Sequence, residues 1–290
     1  MDTFVQLTIS GLANGAILAL AALGFVLIYK ASGVINFAQG HFLLVGAYVV
    51  WALTVDAGLH WAVAVAGAVL VAIALGLTVE RFILRPLVGE PTISVIMVTI
   101  GLAQVLGALV QIIWGTFPQV FPAFIPDDTV TVGGAVVGEN RLWALALAAV
   151  ALAAFGVFFQ RSRHGIAMRV VADDQQAALT MGISVRRTFA LAWALAGVSA
   201  VVGGMLVANL IGVSGDVANF GLLVFPVVIL GGLDSVPGAV VGGCIIGLLE
   251  AYTGGYVGEG LDSVIPYIAL VAILLVRPYG LFGQVRIERV

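Results

Sequence analysis

TFVQLTISGLANGAILALAALGFVLIY, residues 3–29, contains no Asp, Glu, Lys or Arg. At a rise of about 1.5 Å per residue, such a run crosses a hydrocarbon core about 30 Å thick. With no water to bind its backbone, the stretch must be helical. Working outward, eight further apolar stretches avoid charge: 31–55, 57–79, 91–126, 142–160, 188–215, 217–233, 235–249 and 263–276. The last three are short, and a helix over 263–276 rises only about 21 Å, with Arg277 snorkelling to its interface. The reading is an all-α, polytopic integral membrane bundle of nine spans, within a range of about eight to ten. It forms a single transmembrane domain over residues 1–290.

Composition agrees. The chain is 62% hydrophobic and 9% charged, with a mean hydropathy of +1.17, whereas soluble domains carry roughly 25% charged residues. A net charge of -3 leaves no basic footprint for nucleic acid. The chain opens Met1-Asp2 without a basic n-region and stays apolar beyond an h-region of about 7–15 residues, so the first segment is expected to remain in the mature protein. Cys244, the one cysteine, has no partner for an internal disulfide and reads as a small packing residue.

Arginine placement sets the orientation, because short cytoplasmic loops retain Lys and Arg. Walking the nine spans puts Lys30, Arg81, Arg85, Arg161, Arg163, Arg169, Arg186, Arg187, Arg277, Arg286 and Arg289 on one side. Asp2, Asp56, Asp127, Asp128, Glu139, Asp216, Glu259 and Asp262 fall on the other, with Arg141 its one basic residue. The N-terminus is therefore outside and the C-terminus cytoplasmic. The external loop 116–141, rich in Pro and Gly and carrying Phe117, Phe121 and Phe124, is expected to be an ordered cap or docking surface.

The cytoplasmic loop 161–188 differs in kind. Within 165–183 the sequence predicts a short helix, capped at its start by Asp173 or Asp174 and closed by Gly182 at the left-handed C′ position. Ala177, Ala178 and Met181 lie near one face of it. They form either a flat patch for a partner's groove or the buried face of a surface helix packed on its own protein.

Polar groups inside a membrane mark candidate pathway positions. The densest set is Ser32-Gly33-Val34-Ile35-Asn36-Phe37-Ala38-Gln39-Gly40-His41, where Gly33 and Gly40 permit a broken or re-entrant helix. Free backbone groups at such a break suit an amino acid's carboxylate and ammonium. The alternative is a cytoplasmic turn with Asn36 and Gln39 solvated. Gln104 and Gln111 share one face of the fourth span, as interhelical glue or pathway lining, and Asn14 and Asn209 carry the same ambiguity. A second glycine-rich interruption, 231–238, suggests a pseudo-repeat. Gly11/Gly15, Gly238/Gly242 and Gly243/Gly247 allow close helix approach. Glu250 is expected at an interface, ending its span.

Several chemistries are excluded. Lys30, the one lysine, stands between Tyr29 and Ala31, so no Gly-Lys-Ser/Thr phosphate loop exists. Three scattered histidines and one cysteine offer no ordinary zinc spacing, and no His-Glu-x-x-His or Gly-x-Ser-x-Gly occurs. The chain reads as a non-enzyme.

Gln176-Ala177-Ala178-x-x-x-Gly182 resembles the Glu-Ala-Ala-x-x-x-Gly coupling loop of ATP-binding-cassette importer permeases, with Gln for Glu. Asn36-Phe37-Ala38-Gln39-Gly40 with Gly46-Ala47-Tyr48, Ala172-Asp173 ahead of Met181-Gly182-Ile183, Leu230-Gly231-Gly232 with Gly238-Ala239-Val240-Val241-Gly242-Gly243, and Arg277-Pro278-x-Gly280-Leu281-Phe282-Gly283 extend the likeness along nearly the whole chain. Together they are similar to the branched-chain amino acid permease family, its H-type subunit. The resemblance implies a plasma-membrane (bacterial inner-membrane) importer subunit whose partners are a second permease, two ATPases carrying ATP and Mg, and an external substrate-binding protein. It implies no cofactor in this chain. Asp173, Asp174, Gln176, Ala177, Ala178, Met181 and Gly182 would couple to the ATPase. Asn36, Phe37, Gln39, His41, Gln104 and Gln111 would border the substrate. Related permeases carry urea or short amides. An ion-coupled secondary transporter or a channel is the alternative class, disfavoured because no long span holds an Asp or Glu at mid-membrane.

Overall fold

The structure, a computed structural model, describes residues 2–122, 125–126, 128–258 and 260–283. Phe124, Asp127, Glu259, Arg286 and Arg289 lie outside the described residues. Every apolar stretch contributes a helix. Six helices are long and apolar enough to span a membrane among the described residues, and three shorter apolar ones accompany them. In chain order the elements are α1 (Asp2–Ser32), α2 (Gln39–Val55), α3 (Trp61–Val79), α4 (Thr92–Trp114), β1 (Thr129–Val132), β2 (Ala135–Gly138), α5 (Glu139–Arg161), α6 (Arg163–Asp173), α7 (Gln175–Thr180), α8 (Val185–Ile211), α9 (Asp216–Phe220), α10 (Val224–Gly231), α11 (Val236–Tyr256) and α12 (Ile265–Val276).

α1 is the central post, with Ile17 to Leu23 and Phe25 to Ile28 fully enclosed. Its deep burial rests on glycine. A Cβ at Gly15 would lie 2.6 Å from the Gly243 carbonyl, and one at Gly11 2.9 Å from that of Gly247, so α1 and α11 meet backbone to backbone. Small residues four apart allow that approach and the dispersion contacts it brings. α3 packs on α8 in the same way, through Ala68, Ala72 and Gly76, and turns Val63 and Leu70 outward.

The charge segregation holds among the described residues. Lys30, Gln160, Arg169 and Asp234 border one small cavity, and Ser32, Arg85 and Gln175 border another, at the same end of the molecule. At the opposite end Asp2 faces Gly134, and Arg141 hydrogen-bonds Ser10.

Four boundaries depart from the sequence reading. Lys30 does not end the first helix, which runs to Ser32 while the ammonium donates to the Asp234 carbonyl at 3.2 Å. Glu250 does not end α11, which continues to Tyr256, so a carboxylate stands inside a spanning helix near its outer end. The interruption at 231–238 is a tight turn level with Lys30, with Gly232 at φ +110°, and not a break at membrane depth. The external loop holds a β-hairpin, β1 against β2, closing through Gly133 and Gly134, both with positive φ. Two such residues suit the primed turns of tight hairpins. The described residues of the loop are tied to the bundle: Gln119 pairs with Val213 in both directions, and Trp51 donates to the Val120 carbonyl at 3.1 Å.

Candidate functional site: the broken helix and the coupling helix

Between α1 and α2 the chain turns at Gly33, at φ +71°, and runs back into the bundle. Gln39 Nε2 donates to the Ala21 carbonyl at 3.4 Å. Ala21 lies about 16 Å above the end of α1 at 1.5 Å per residue. Residues 33–38 therefore climb beside α1, and α2 starts at membrane depth. Asn36 is fully buried and Gln39 is 1% exposed, so the solvated-turn reading is excluded.

The exposed backbone of the break is satisfied locally, as burial demands. Asn36 Oδ1 accepts the Ala38 N–H at 3.0 Å, and its Nδ2 donates to Gln39 Oε1 at 3.3 Å. Thr99 of α4 accepts the Phe37 N–H at 3.3 Å, and its hydroxyl lies 3.2 Å from the Ile35 carbonyl and 2.9 Å from that of Ile96. Sequence reasoning missed Thr99, because a lone threonine in an apolar helix carries no signal of what it faces. Phe37 stacks on Phe225 with centroids 4.7 Å apart, and Phe225 meets Phe25 edge-on at 5.5 Å. A Cβ at Gly40 would strike the backbone of Ala218 and Gly221, so the start of α2 and the α9–α10 segment touch.

Two cavities are lined by the segments that meet here, one by Phe220, Leu222 and Leu223 and the other by Ser32 to Ile35. The outer, about 570 Å³, is bordered by Asn14, Asn219, Leu223, Asp216, Glu250 and Asp262. The inner, about 260 Å³, is bordered by Gly33 to Ile35, Gln175, Trp193 and the ion pair of Glu80 with Arg85, 2.7 Å apart. That pair spans a widened π turn over Glu80–Leu84. Pro86, lacking an N–H and crowding the preceding turn, accounts for the irregular exit of α3.

His41 is half-buried with its ring beside Gly107 of α4. Gln104 and Gln111 share a face as predicted, but that face is exposed and points away from the bundle, so they do not line this chain's interior.

The loop 161–188 forms two helices, α6 and α7, where one was expected. Asp174 caps α7, accepting the N–H groups of Gln176 at 2.8 Å and Ala177 at 3.0 Å. Asp173 ends α6 instead. Gly182 has φ +78°, as its C′ position requires. Ala178 is fully buried against the chain itself, which corrects its placement in an outward patch. The exposed face carries Gln176, Ala177, Leu179 and Met181, with Leu179 60% and Met181 67% exposed.

The family described as "Branched-chain amino acid transport system / permease component" matches residues 7–274. The chain belongs to that family. The permease is 29% identical to the high-affinity branched-chain amino acid transport system permease protein LivH of Escherichia coli (strain K12), over 99% of this chain and 98% of that one. It is 28% identical to the corresponding permease protein BraD of Pseudomonas aeruginosa over the same shares. The solved structure of PsaBC from Streptococcus pneumoniae in complex with Fab aligns over 94% of this chain and 90% of that one, with a TM-score of 0.48 at 13% identity. The permease is a multi-pass membrane protein, and its relatives are named as permeases and not as enzymes.

Proposed function

We propose that the permease is the membrane subunit of an ATP-binding-cassette importer that moves branched-chain amino acids across the plasma membrane into the cytoplasm. The observation that carries this reading is the inner cavity, bordered by Gln175 of α7 on one side and Gly33 to Ile35 of the break on the other. A push on α7 from an ATPase that binds ATP and Mg reaches the break through that shared wall. The break, whose Gly33 to Ile35 border the inner cavity, is then displaced together with Asn36, Phe37 and Gln39, and access alternates between the two sides. Each state is favoured only to the extent that nucleotide or substrate binds it more tightly. An external binding protein delivers the substrate, and a second permease completes the membrane unit.

The outer cavity favours a substrate with an ammonium group over urea or a neutral amide. Asp216, Glu250 and Asp262 border it with no Lys or Arg, a field that attracts cations. The test is reconstitution of the complete transporter in liposomes. ATP-dependent uptake of labelled leucine, isoleucine or valine is expected; urea uptake insensitive to leucine would assign the amide class, and uptake driven by an ion gradient without ATP would overturn the reading.

A further inference from the structure

The inner cavity carries opposite charges side by side. Glu80, Arg85 and Glu90 border it, and the first two form a pair in which the Glu80 side chain is only 4% exposed and that of Arg85 32%. Glu80 accepts from Arg85 Nε at 3.2 Å and Nη2 at 2.7 Å. A guanidinium has five N–H groups, so the other three of Arg85 have no acceptor among the described residues. Ser32 to Ile35 border the same cavity, past the end of the α1 ladder. The Ile35 N–H and the Gly33 and Val34 carbonyls have no hydrogen-bond partner among the described residues, and Gly33 is exposed while Val34 and Ile35 are half-buried. Irregular backbone inside a membrane bundle persists only where protein or a water-filled cavity satisfies it. The cavity is therefore a polar place, and Leu84, Leu87, Val95, Ile96 and Trp193 give it an apolar wall as well.

We infer that this cavity is a regulatory site that takes a free α-amino acid with an apolar side chain from the inner side, and that its occupancy slows transport. The chemistry selects that ligand. At about 260 Å³ the cavity falls below the roughly 300–1,000 Å³ of sites for drug-sized molecules, so the occupant is small. A zwitterion puts its carboxylate on the unused N–H groups of Arg85 and Ile35 and its ammonium on Glu80 and the free carbonyls, with its side chain on the apolar wall. A lone anion such as phosphate meets Glu80 and Glu90, and a lone cation meets Arg85. The cavity is walled by parts that must move relative to one another: Gln175 of α7, the break, and the exit of α3. A ligand bonded to all of them favours the arrangement in which they are together, to the extent of its differential affinity, and a stroke of α7 must first expel it. The inference rests on the importer reading for the direction of this effect.

The test uses the assembled transporter. Labelled leucine is offered by equilibrium dialysis to the detergent-purified complex, without the external binding protein, and to complexes carrying Arg85→Gln or Leu87→Trp. The second variant keeps the ion pair and narrows the cavity, so a loss of binding there does not come from unpairing Glu80; detergent melting checks that each variant is folded. Saturable binding to the wild type is expected, weaker by roughly tenfold or more in both variants, the scale of one bond to a charged group. Isocaproate and isoamylamine, which each carry one of the two charges, should compete less well than leucine by roughly tenfold on the same scale. In liposomes, leucine enclosed at about twice its Kd should slow ATP-dependent uptake of labelled leucine roughly threefold, the mass-action factor 1 + [L]/Kd. Both variants should lose that slowing, each compared with its own uptake into buffer-loaded vesicles. Binding and slowing unchanged in the variants, or one-charge analogues that compete as well as leucine, would overturn the inference, while ATP-dependent leucine uptake leaves the proposed function standing. Uptake driven by an ion gradient without ATP would overturn the reading beneath it.

Discussion

The seam between α1 and α11 and the contact of the break with the α9–α10 segment are both built on glycine, yet the glycines serve opposite ends. At the seam, Gly11 and Gly15 face Gly243 and Gly247 within two helices whose hydrogen-bond ladders continue past the contact. At the break, Gly40 meets Gly221 where one helix is just starting and another passes through a tighter turn. There the ladder is interrupted, and side chains of Asn36 and Thr99 stand in for it. A post and a joint result from one residue type, and local opening concentrates where few bonds hold.

The comparison breaks if the seam yields more easily than the joint. Gly15→Leu forces a side chain into the Gly243 backbone, and we expect destabilisation of about 3 kcal/mol with loss of the folded protein from the membrane, measured by detergent melting and immunoblot. Normal abundance would mean the seam is loose.

The joint needs a drive, and α7 supplies the next test. Leu179→Asp should leave abundance unchanged and abolish ATP-dependent uptake, because the charge falls on the exposed face proposed to meet the ATPase. Ala178→Asp should instead melt α7 against its own chain, read as protease sensitivity of the loop. If the two variants behave alike, the division of α7 into outer and inner faces is wrong.

Asn36→Leu comes third. Two buried partners lose their bonds, at about 2 kcal/mol, and initial uptake should fall by roughly tenfold, equivalent to about 1.4 kcal/mol in the barrier. Abundance falling in proportion would make Asn36 a packing residue only. Thr99→Val keeps the shape and removes one hydroxyl, so a loss of about 1 kcal/mol is expected, with a few-fold slower uptake measured in the same assay. The smallest effect belongs to Lys30→Gln, which trims one helix-end bond at the turn; less than about 1 kcal/mol should be lost on detergent melting.

Much of this arrangement was legible in the sequence, because hydrocarbon tolerates so few alternatives. Long charge-free runs mark the helices, and arginine placement tells their two ends apart. The errors sit where a charged side chain reaches beyond its own backbone position. Lys30 was read as a boundary, but its long stem lets a helix continue underneath. Glu250 was read likewise, although the outer cavity gives its carboxylate a polar place inside α11. The break itself was legible through Asn36 and Gln39 between two glycines. What held it was not, since Thr99 lies 62 positions from Phe37. The hairpin's signal, Thr-Val alternation around Gly133-Gly134, was present but masked by the prolines of its loop. Ala177 and Ala178 are identical in the sequence, and only packing separates an outer alanine from an inner one.

The depth at which α1 is enclosed also sets the order of assembly during synthesis. α1 is made before α11, yet Lys30 bonds a residue 204 positions later and Thr8 one 244 positions later. Its glycine face must therefore wait in lipid, or against the insertion machinery, until α11 has been made. The native core closes only once α11 has been made. A chain stopped before α11 would leave Gly11 and Gly15 as an open groove in the bilayer, a ready signal for membrane quality control.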